Sequence, residues 1–168
     1  MSDRISMAPA RRAPFLLAAL AAALLLATGL GCSQSASAET ATIQVYKTPT
    51  CGCCTKWIDH LRAEGFKVEA TDLPDLAELK AMNGVSPALS SCHTAMVDGY
   101  VLEGHVPAED VKRMLAEKPS IAGLSVPGMP MGSPGMEHPD PRRHERFDVV
   151  AFGTKDPGGQ RVYATHTP

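Results

Sequence analysis

Three thiols fall within four residues at Thr50-Cys51-Gly52-Cys53-Cys54-Thr55-Lys56-Trp57, between a strand-like run and a helix-like run. Crowded this closely they suit disulfide bridges badly, because a bridge sets narrow limits on the separation and direction of its two residues. They suit a soft metal well, since thiolates select Cu(I), Zn(II) or iron–sulfur clusters. A helix starting at or just after Cys54 would turn its free backbone N–H groups and positive dipole end on the sulfurs. That lowers their pKa and favours the thiolate, the form that binds metal or attacks disulfides. The stretch is therefore a metal clasp or a redox centre. Cys51 and Cys54 also have the CxxC spacing of a thiol–disulfide oxidoreductase, whose exposed first thiolate attacks while the second resolves.

Other donors are scattered along the chain. Cys92-His93 ends a loop, His105 stands before Val106-Pro107, and Met129, Met131 and Met136 lie in a Gly/Pro/Ser-rich stretch without periodic partners. Thioether sulfur is a soft ligand suited to Cu(I), although methionine also fills irregular gaps in a core. Met82 and Met114, by contrast, fall at helical spacing and read as core. His144 and His166 sit in polar, tail-like context, which gives little reason to expect ligands there.

The elements that must position these groups follow from periodicity. Ile43 and Val45 alternate with polar residues over Thr42 to Lys47, a strand that delivers the chain into the cysteine loop. Trp57, Ile58 and Leu61 share one helical face that Gly65 closes. Phe66, Val68 and Ala70 alternate as a second strand, and Pro74 opens a helix carrying Leu76, Leu79 and Met82. A right-handed crossover makes the two strands parallel and sets the cysteine loop at the carboxyl end of the first, the ligand-binding end of open α/β sheets. Asp98-Gly99 between two apolar runs predicts a hairpin. A helix then begins at Glu109 and Asp110, buries Val111, Met114 and Leu115, and stops before Pro119. The order βαβα-ββα is that of a thioredoxin-like fold with a central mixed sheet and flanking helices. In such a sheet strands one and three are neighbours, which brings Cys92 and His93 to the cysteine loop. Residues 121–139 read as a long loop, too broken by Gly and Pro for a regular element. The runs Phe147 to Phe152 and Arg161 to Thr165 read as a terminal β-hairpin.

The chain has 168 residues and a net charge of −2. Arg4, Arg11 and Arg12 precede an apolar run from Phe15 to Leu30, the order of a secretory signal. Ala36-Ser37-Ala38 offers a small-x-small cleavage site, while Gly29-Leu30-Gly31-Cys32 resembles a lipobox; a soluble product and one lipidated at Cys32 both stay open. Only the second would bring a membrane into play. Residues 1–38 are read as signal peptide and short linker, and 39–168 as one domain. No basic cluster survives removal of the signal, so the electrostatic footprint of a nucleic-acid binder is missing. Four cysteines then remain in an oxidising compartment, where disulfides would be the ordinary expectation.

YKTPTCGCCTKW, SCHTAMVDGYVLEGHVP and GLSVPGMPMGSPGME, in this order, resemble the CopG-type copper-resistance proteins. The resemblance implies a thioredoxin-like domain in the bacterial periplasm that binds copper through Cys51, Cys53, Cys54 and Cys92 and interconverts Cu(I) and Cu(II). It makes His93, His105, Met129, Met131 and Met136 secondary ligand candidates. Copper ions are the implied ligand, with other periplasmic copper-resistance proteins or an electron donor as candidate partners.

Several readings remain side by side. So many sulfurs can hold one ion or bridge several Cu(I) ions in a polynuclear thiolate cluster. Capture by soft sulfur favours the reduced ion, so a cupric-reductase-like activity and plain storage are both compatible with the donors. Turnover would need an electron source, and the sequence has neither a haem-type CxxCH nor a dinucleotide fingerprint. Zn(II) also accepts four cysteines, and the methionine-rich loop favours copper over it.

Overall fold

The strand predicted from Ile43 and Val45 runs over Thr42–Lys47 (β1) and buries Ile43, Val45 and Lys47 on one face. The structure is a computed structural model that describes residues 41–168. The predicted signal peptide, both processing sites and Cys32 lie outside the described residues.

From β1 the chain enters a helix over Gly52–Ala63 (α1), which begins earlier than predicted, with Cys51 as its N-cap. Cys54, Trp57, Ile58 and Leu61 are its buried residues, a stripe at i, i+3, i+4 and i+7 that faces the sheet. Lys67–Asp72 (β2) pairs in parallel with β1, Ile43 opposite Val68 and Val45 opposite Ala70. The second helix is shorter than predicted. It spans Ala77–Met82 (α2), with Leu76 at its cap and Met82 78% exposed. The core assignment of Met82 is thus corrected: it is the last residue of a six-residue helix that buries none of its side chains, the core being met by Leu76 at the cap.

Thr94–Val97 (β3) and Tyr100–Glu103 (β4) form the predicted hairpin. Asp98 and Gly99 both have positive φ, 47° and 83°, as the two central residues of a type I′ turn must. Ala108–Glu117 (α3) buries Val111 and Met114, as predicted, and ends at Lys118 just before Pro119. The stretch read as an unbroken loop then contains a strand, Gly123–Ser125 (β5), parallel to β4. At three residues it is too short to leave an alternation in the sequence. β5 also receives Phe147–Phe152 (β6), which pairs with Gln160–His166 (β7), the predicted terminal hairpin.

All seven strands form one mixed sheet in the order β2-β1-β3-β4-β5-β6-β7. The β2-β1-β3-β4 part with its helices is the thioredoxin-like arrangement, and β5 joins the C-terminal hairpin to it. Ile43, Trp57, Leu61, Leu102, Met114 and Leu124 are all fully buried and fill the space between sheet and helices. Among the described residues no helix is long and apolar enough to cross a membrane.

Candidate metal centre

The turn from β1 into α1 fixes the first three sulfurs. The Cys51 N–H donates to the Thr48 carbonyl at 3.1 Å, and Cys51 then caps α1 in an extended conformation without a side-chain cap hydrogen bond. The first-turn N–H groups thus have no side-chain oxygen in front of them, and the sulfurs lie at the positive end of the helix. Cys51, outside the helix, and Cys54, one turn in, have Cα atoms 5.4 Å apart and are joined by a disulfide. Crowding therefore does not exclude a bridge, contrary to the sequence expectation: the extended cap lets the Cys51 side chain turn back onto the helix. Cys53 and Cys92 are free.

Cys92 arrives from the other side. Because β3 pairs with β1, Tyr46 opposite Thr94, the loop leading into β3 runs past the start of α1. Cys53 Sγ lies 3.6 Å from Cys51 Sγ and 4.0 Å from Cys92 Sγ. The four sulfurs of Cys51, Cys53, Cys54 and Cys92 all lie within 4.8 Å of one another. Cys92 also belongs to a second group of the same compactness, with His93 and His105. One thiol thus joins a sulfur cluster to a pair of imidazoles.

The two histidines are held differently. His105 Nδ1 lies 2.7 Å from the Pro134 carbonyl, which can only accept, so Nδ1 carries the proton. In the neutral ring this leaves the Nε2 lone pair facing Cys92 Sγ at 3.0 Å. A ring nitrogen fixed by a carbonyl behind it is the usual support of a metal-ligating histidine. His93 is fully buried, puts Nδ1 3.3 Å from Cys92 Sγ, and has no hydrogen-bond partner for Nε2. Its ring packs 4.3 Å from that of Trp57, between centroids. Burial, the His105 ring and the Lys80 ammonium push the His93 pKa well down, and burial lowers that of His105, so both imidazoles are held neutral. Burial, then the Cys53 thiol beside it, pushes the Cys92 thiol up to about 12. Without a cation this sulfur keeps its proton; an arriving metal displaces it.

Two features that hold the site are invisible in the sequence pattern. Glu103 at the end of β4 is fully buried and accepts from the Ser91 N–H at 2.6 Å, from Thr94 Oγ1 at 2.7 Å and from the Lys80 ammonium. This carboxylate grips both sides of Cys92-His93, and Lys80 on α2 neutralises its charge. The second feature is the loop after β5. Gly135 lies against the first turn of α1, where an added Cβ would stand 2.7 Å from the Cys53 carbonyl oxygen and 2.8 Å from the Trp57 nitrogen, at a φ of +85°. Only glycine lets the loop lie this close, and that approach brings the Pro134 carbonyl to His105.

The loop methionines are less tightly placed. Met129 is 54% exposed and Met131 and Met136 are half-buried. The hydrogen bonds that fix the latter two, Met131 N–H to Glu145 and Met136 N–H to the Ser133 carbonyl, use their backbone. Met129 follows Gly128, whose carbonyl accepts from the Ser91 hydroxyl beside Cys92.

The family described as "Protein of unknown function, DUF411" matches residues 89–136, from the loop before Cys92 to Met136. Two solved structures match along most of the chain. "Copper resistance protein copG- Form 2" is 42% identical, covers 77% of this chain and 100% of its own, and superposes with a TM-score of 0.69. The chain belongs to the CopG family of copper resistance proteins. "Copper resistance protein copG- Form 1" gives 41% identity, the same coverages and a TM-score of 0.70. No curated protein matches. As a CopG protein the chain has a copper-related role, and its clustered cysteines and histidines are a donor set that can bind metal. Two free thiols, two more once the Cys51–Cys54 disulfide opens, and two neutral imidazoles, one with a buried nitrogen that no protein group satisfies, fit a soft ion such as copper.

Proposed function

We propose that the chain captures Cu(I) in the periplasm on the thiolates of Cys51, Cys53, Cys54 and Cys92, with His105 and His93 completing the donor set. The observation that carries this reading is the position of Cys92, shared by the four-sulfur group and the two-imidazole group. Four sulfurs within 4.8 Å of one another, with two imidazoles beside Cys92, can hold more than one Cu(I) ion bridged by Cys92 and Cys53. Met129, Met131 and Met136 supply soft sulfur on the covering loop, Met129 on its solvent side. The periplasmic location rests on the charged-then-apolar order of residues 4–30.

The Cys51–Cys54 disulfide favours a redox component. Opening it requires two electrons and two protons from a dithiol reductant, and yields the two thiols that complete the four-sulfur set. In the other direction, the two thiols reduce two Cu(II) ions to two Cu(I), forming the disulfide and releasing two protons. The site thereby links copper valence to the oxidation state of one cysteine pair. A second reading, a thiol–disulfide oxidoreductase acting through Cys51 and Cys54 without copper, draws on the same disulfide. Against it, Cys53 Sγ stands 3.6 Å from Cys51 Sγ, close enough to divert a mixed disulfide into the wrong bridge.

Anaerobic titration of the reduced chain with Cu(I), counting metal per chain and free thiols together, tests the proposal. More than one copper bound with all four thiols protected supports it. Absence of tight binding, with ready closure of Cys51–Cys54, supports the oxidoreductase instead.

A further inference from the structure

With Cys51 and Cys54 bridged, two thiols of the site are left over. Cys53 and Cys92 are the free cysteines among the described residues, both half-buried, and their sulfurs stand 4.0 Å apart. No side chain fits between two sulfurs at that separation. The existing bridge also decides which partner Cys53 has. Cys51 Sγ is nearer, at 3.6 Å, but it is already bonded to Cys54, so Cys92 is the free sulfur that remains in reach.

The two chain segments already run side by side. Cys53 lies in the first turn of α1, and the Cys92 carbonyl is 3.9 Å from the sulfur of the next residue, Cys54. The remaining approach, from 4.0 Å to the roughly 2.0 Å of an S–S bond, falls to the side chains. Cys53 is the one free to turn. Among the described residues its sulfur makes polar contacts only with other sulfurs, whereas Cys92 Sγ is flanked by His105 Nε2 at 3.0 Å and His93 Nδ1 at 3.3 Å. A turn about the Cys53 Cα–Cβ bond moves its sulfur between staggered positions while Cys92 stays in place. His105 has a second part here. Its Nδ1 proton is held by the Pro134 carbonyl, so the Nε2 lone pair facing the Cys92 thiol is able to take the proton of that thiol.

We propose that Cys53 and Cys92 are a second redox pair, which closes to a disulfide after Cys51–Cys54 and gives the reduced chain four electrons for Cu(II) where one pair gives two. The S–H bonds of Cys53 and Cys92 break and one S–S bond forms between them. Their two electrons reduce two Cu(II) to two Cu(I), and two protons leave to solvent, that of Cys92 by way of His105 Nε2. The first pair is bridged while the second is still free, which sets the order of closure. Closure of the second pair also ends the cycle: it takes the last two thiolates from the site and leaves Cu(I) only imidazole and thioether. This second pair deepens the reading that the site reduces Cu(II) and rests on it.

Counting electrons tests the proposal. The chain, with Cys32 changed to Ser so that only the four site cysteines count, is fully reduced, freed of reductant and given excess Cu(II) without oxygen, with a chelator that reports Cu(I). In parallel the reduced chain is oxidised by diamide, which takes electrons from thiols without any metal. The expected result is four Cu(I) per chain and no free thiol in the first arm, and two bridges within each chain in the second. Because Cys53 and Cys54 are adjacent, serine variants assign the pairs. Cys53→Ser should halve the Cu(I) formed and leave Cys92 as a free thiol. Joint Cys51→Ser and Cys54→Ser, if it folds, should also halve it, with Cys53 and Cys92 both consumed. Two Cu(I) per parent chain with two thiols still free under either oxidant, or a second bridge that joins two chains, overturns the proposal. Absence of Cu(I) while diamide still closes both bridges overturns the copper reading and upholds the second pair.

Discussion

Two donor-rich regions lie back to back across Pro134, and they are built in opposite ways. The thiolate region is set at the junction of β1, α1 and β3, where Cys54, His93 and His105 are buried, Cys51, Cys53 and Cys92 are half-buried, and Glu103 fastens the Cys92 loop to the sheet. The other, a cavity lined by Glu109, His144, Glu145 and His166, lies at the ends of elements, on the start of α3, the end of β7 and the loop before β6. The first brings its donor atoms within 4.8 Å of one another; no three ligating atoms of the second come that close. Closely set sulfurs suit a soft ion such as Cu(I), whereas the second region keeps its imidazoles and carboxylates apart. The shared wall is one loop, held to α1 by Gly135 and to the thiol site by the bond from His105 to Pro134.

The comparison is broken most severely at its most rigid point. Glu103→Ala removes three acceptor contacts and leaves the Lys80 ammonium, largely buried, without its partner. Loss of one member of a buried pair costs about 3–5 kcal/mol, so chemical denaturation should show a drop of that order, with Cu(I) uptake failing in the folded remainder. Cys92→Ser should keep the fold and lose most of the Cu(I) capacity, more than the 10–100-fold of an outer-shell change, read by competition with a Cu(I) chelator. Full Cu(I) binding by this variant would refute a shared four-thiol site.

Gly135→Ala tests the shared wall. The new Cβ meets the Cys53 carbonyl and the Trp57 nitrogen at a positive φ, which costs more than about 1 kcal/mol. The loop must lift and take the Pro134 carbonyl from His105, so stability and Cu(I) affinity should fall together, whereas His105→Gln should weaken Cu(I) binding with the smaller loss of stability. Smallest is Met129→Leu. The side chain is exposed, so stability should stay within about 0.5 kcal/mol. Any effect should fall on the rate of copper exchange, measured by stopped-flow transfer to a chelator.

Much of the thiolate region could be read from the sequence, because its parts follow local rules. Cys51, Cys53 and Cys54 are adjacent, the alternation of Ile43 and Val45 marks β1, and Asp98-Gly99 marks the hairpin that returns β4. From these the β1–β3 neighbourhood, and so the meeting of Cys92 with the cysteine loop, followed from topology alone. What escaped depends on contacts between distant residues. Nothing near Glu103 or Lys80 announces their pairing, and a three-residue strand such as β5 carries no periodicity. The Cys51–Cys54 bridge depends on the cap conformation of Cys51, which residue types alone do not fix. His144 and His166 look like tail histidines until β5 fastens the terminal hairpin to the sheet, where both line one cavity with His60. Met82 misled for a simpler reason: its helical spacing was right, but it closes a six-residue helix that buries none of its residues.

X-ray absorption at the copper edge of the reduced chain loaded with Cu(I), read alongside its free-thiol count, tests the central claim most directly. The account predicts a first shell dominated by sulfur with a nitrogen contribution, and no Cys51–Cys54 disulfide once copper is bound. A shell of nitrogen and oxygen alone, or copper held while that disulfide persists, would contradict it.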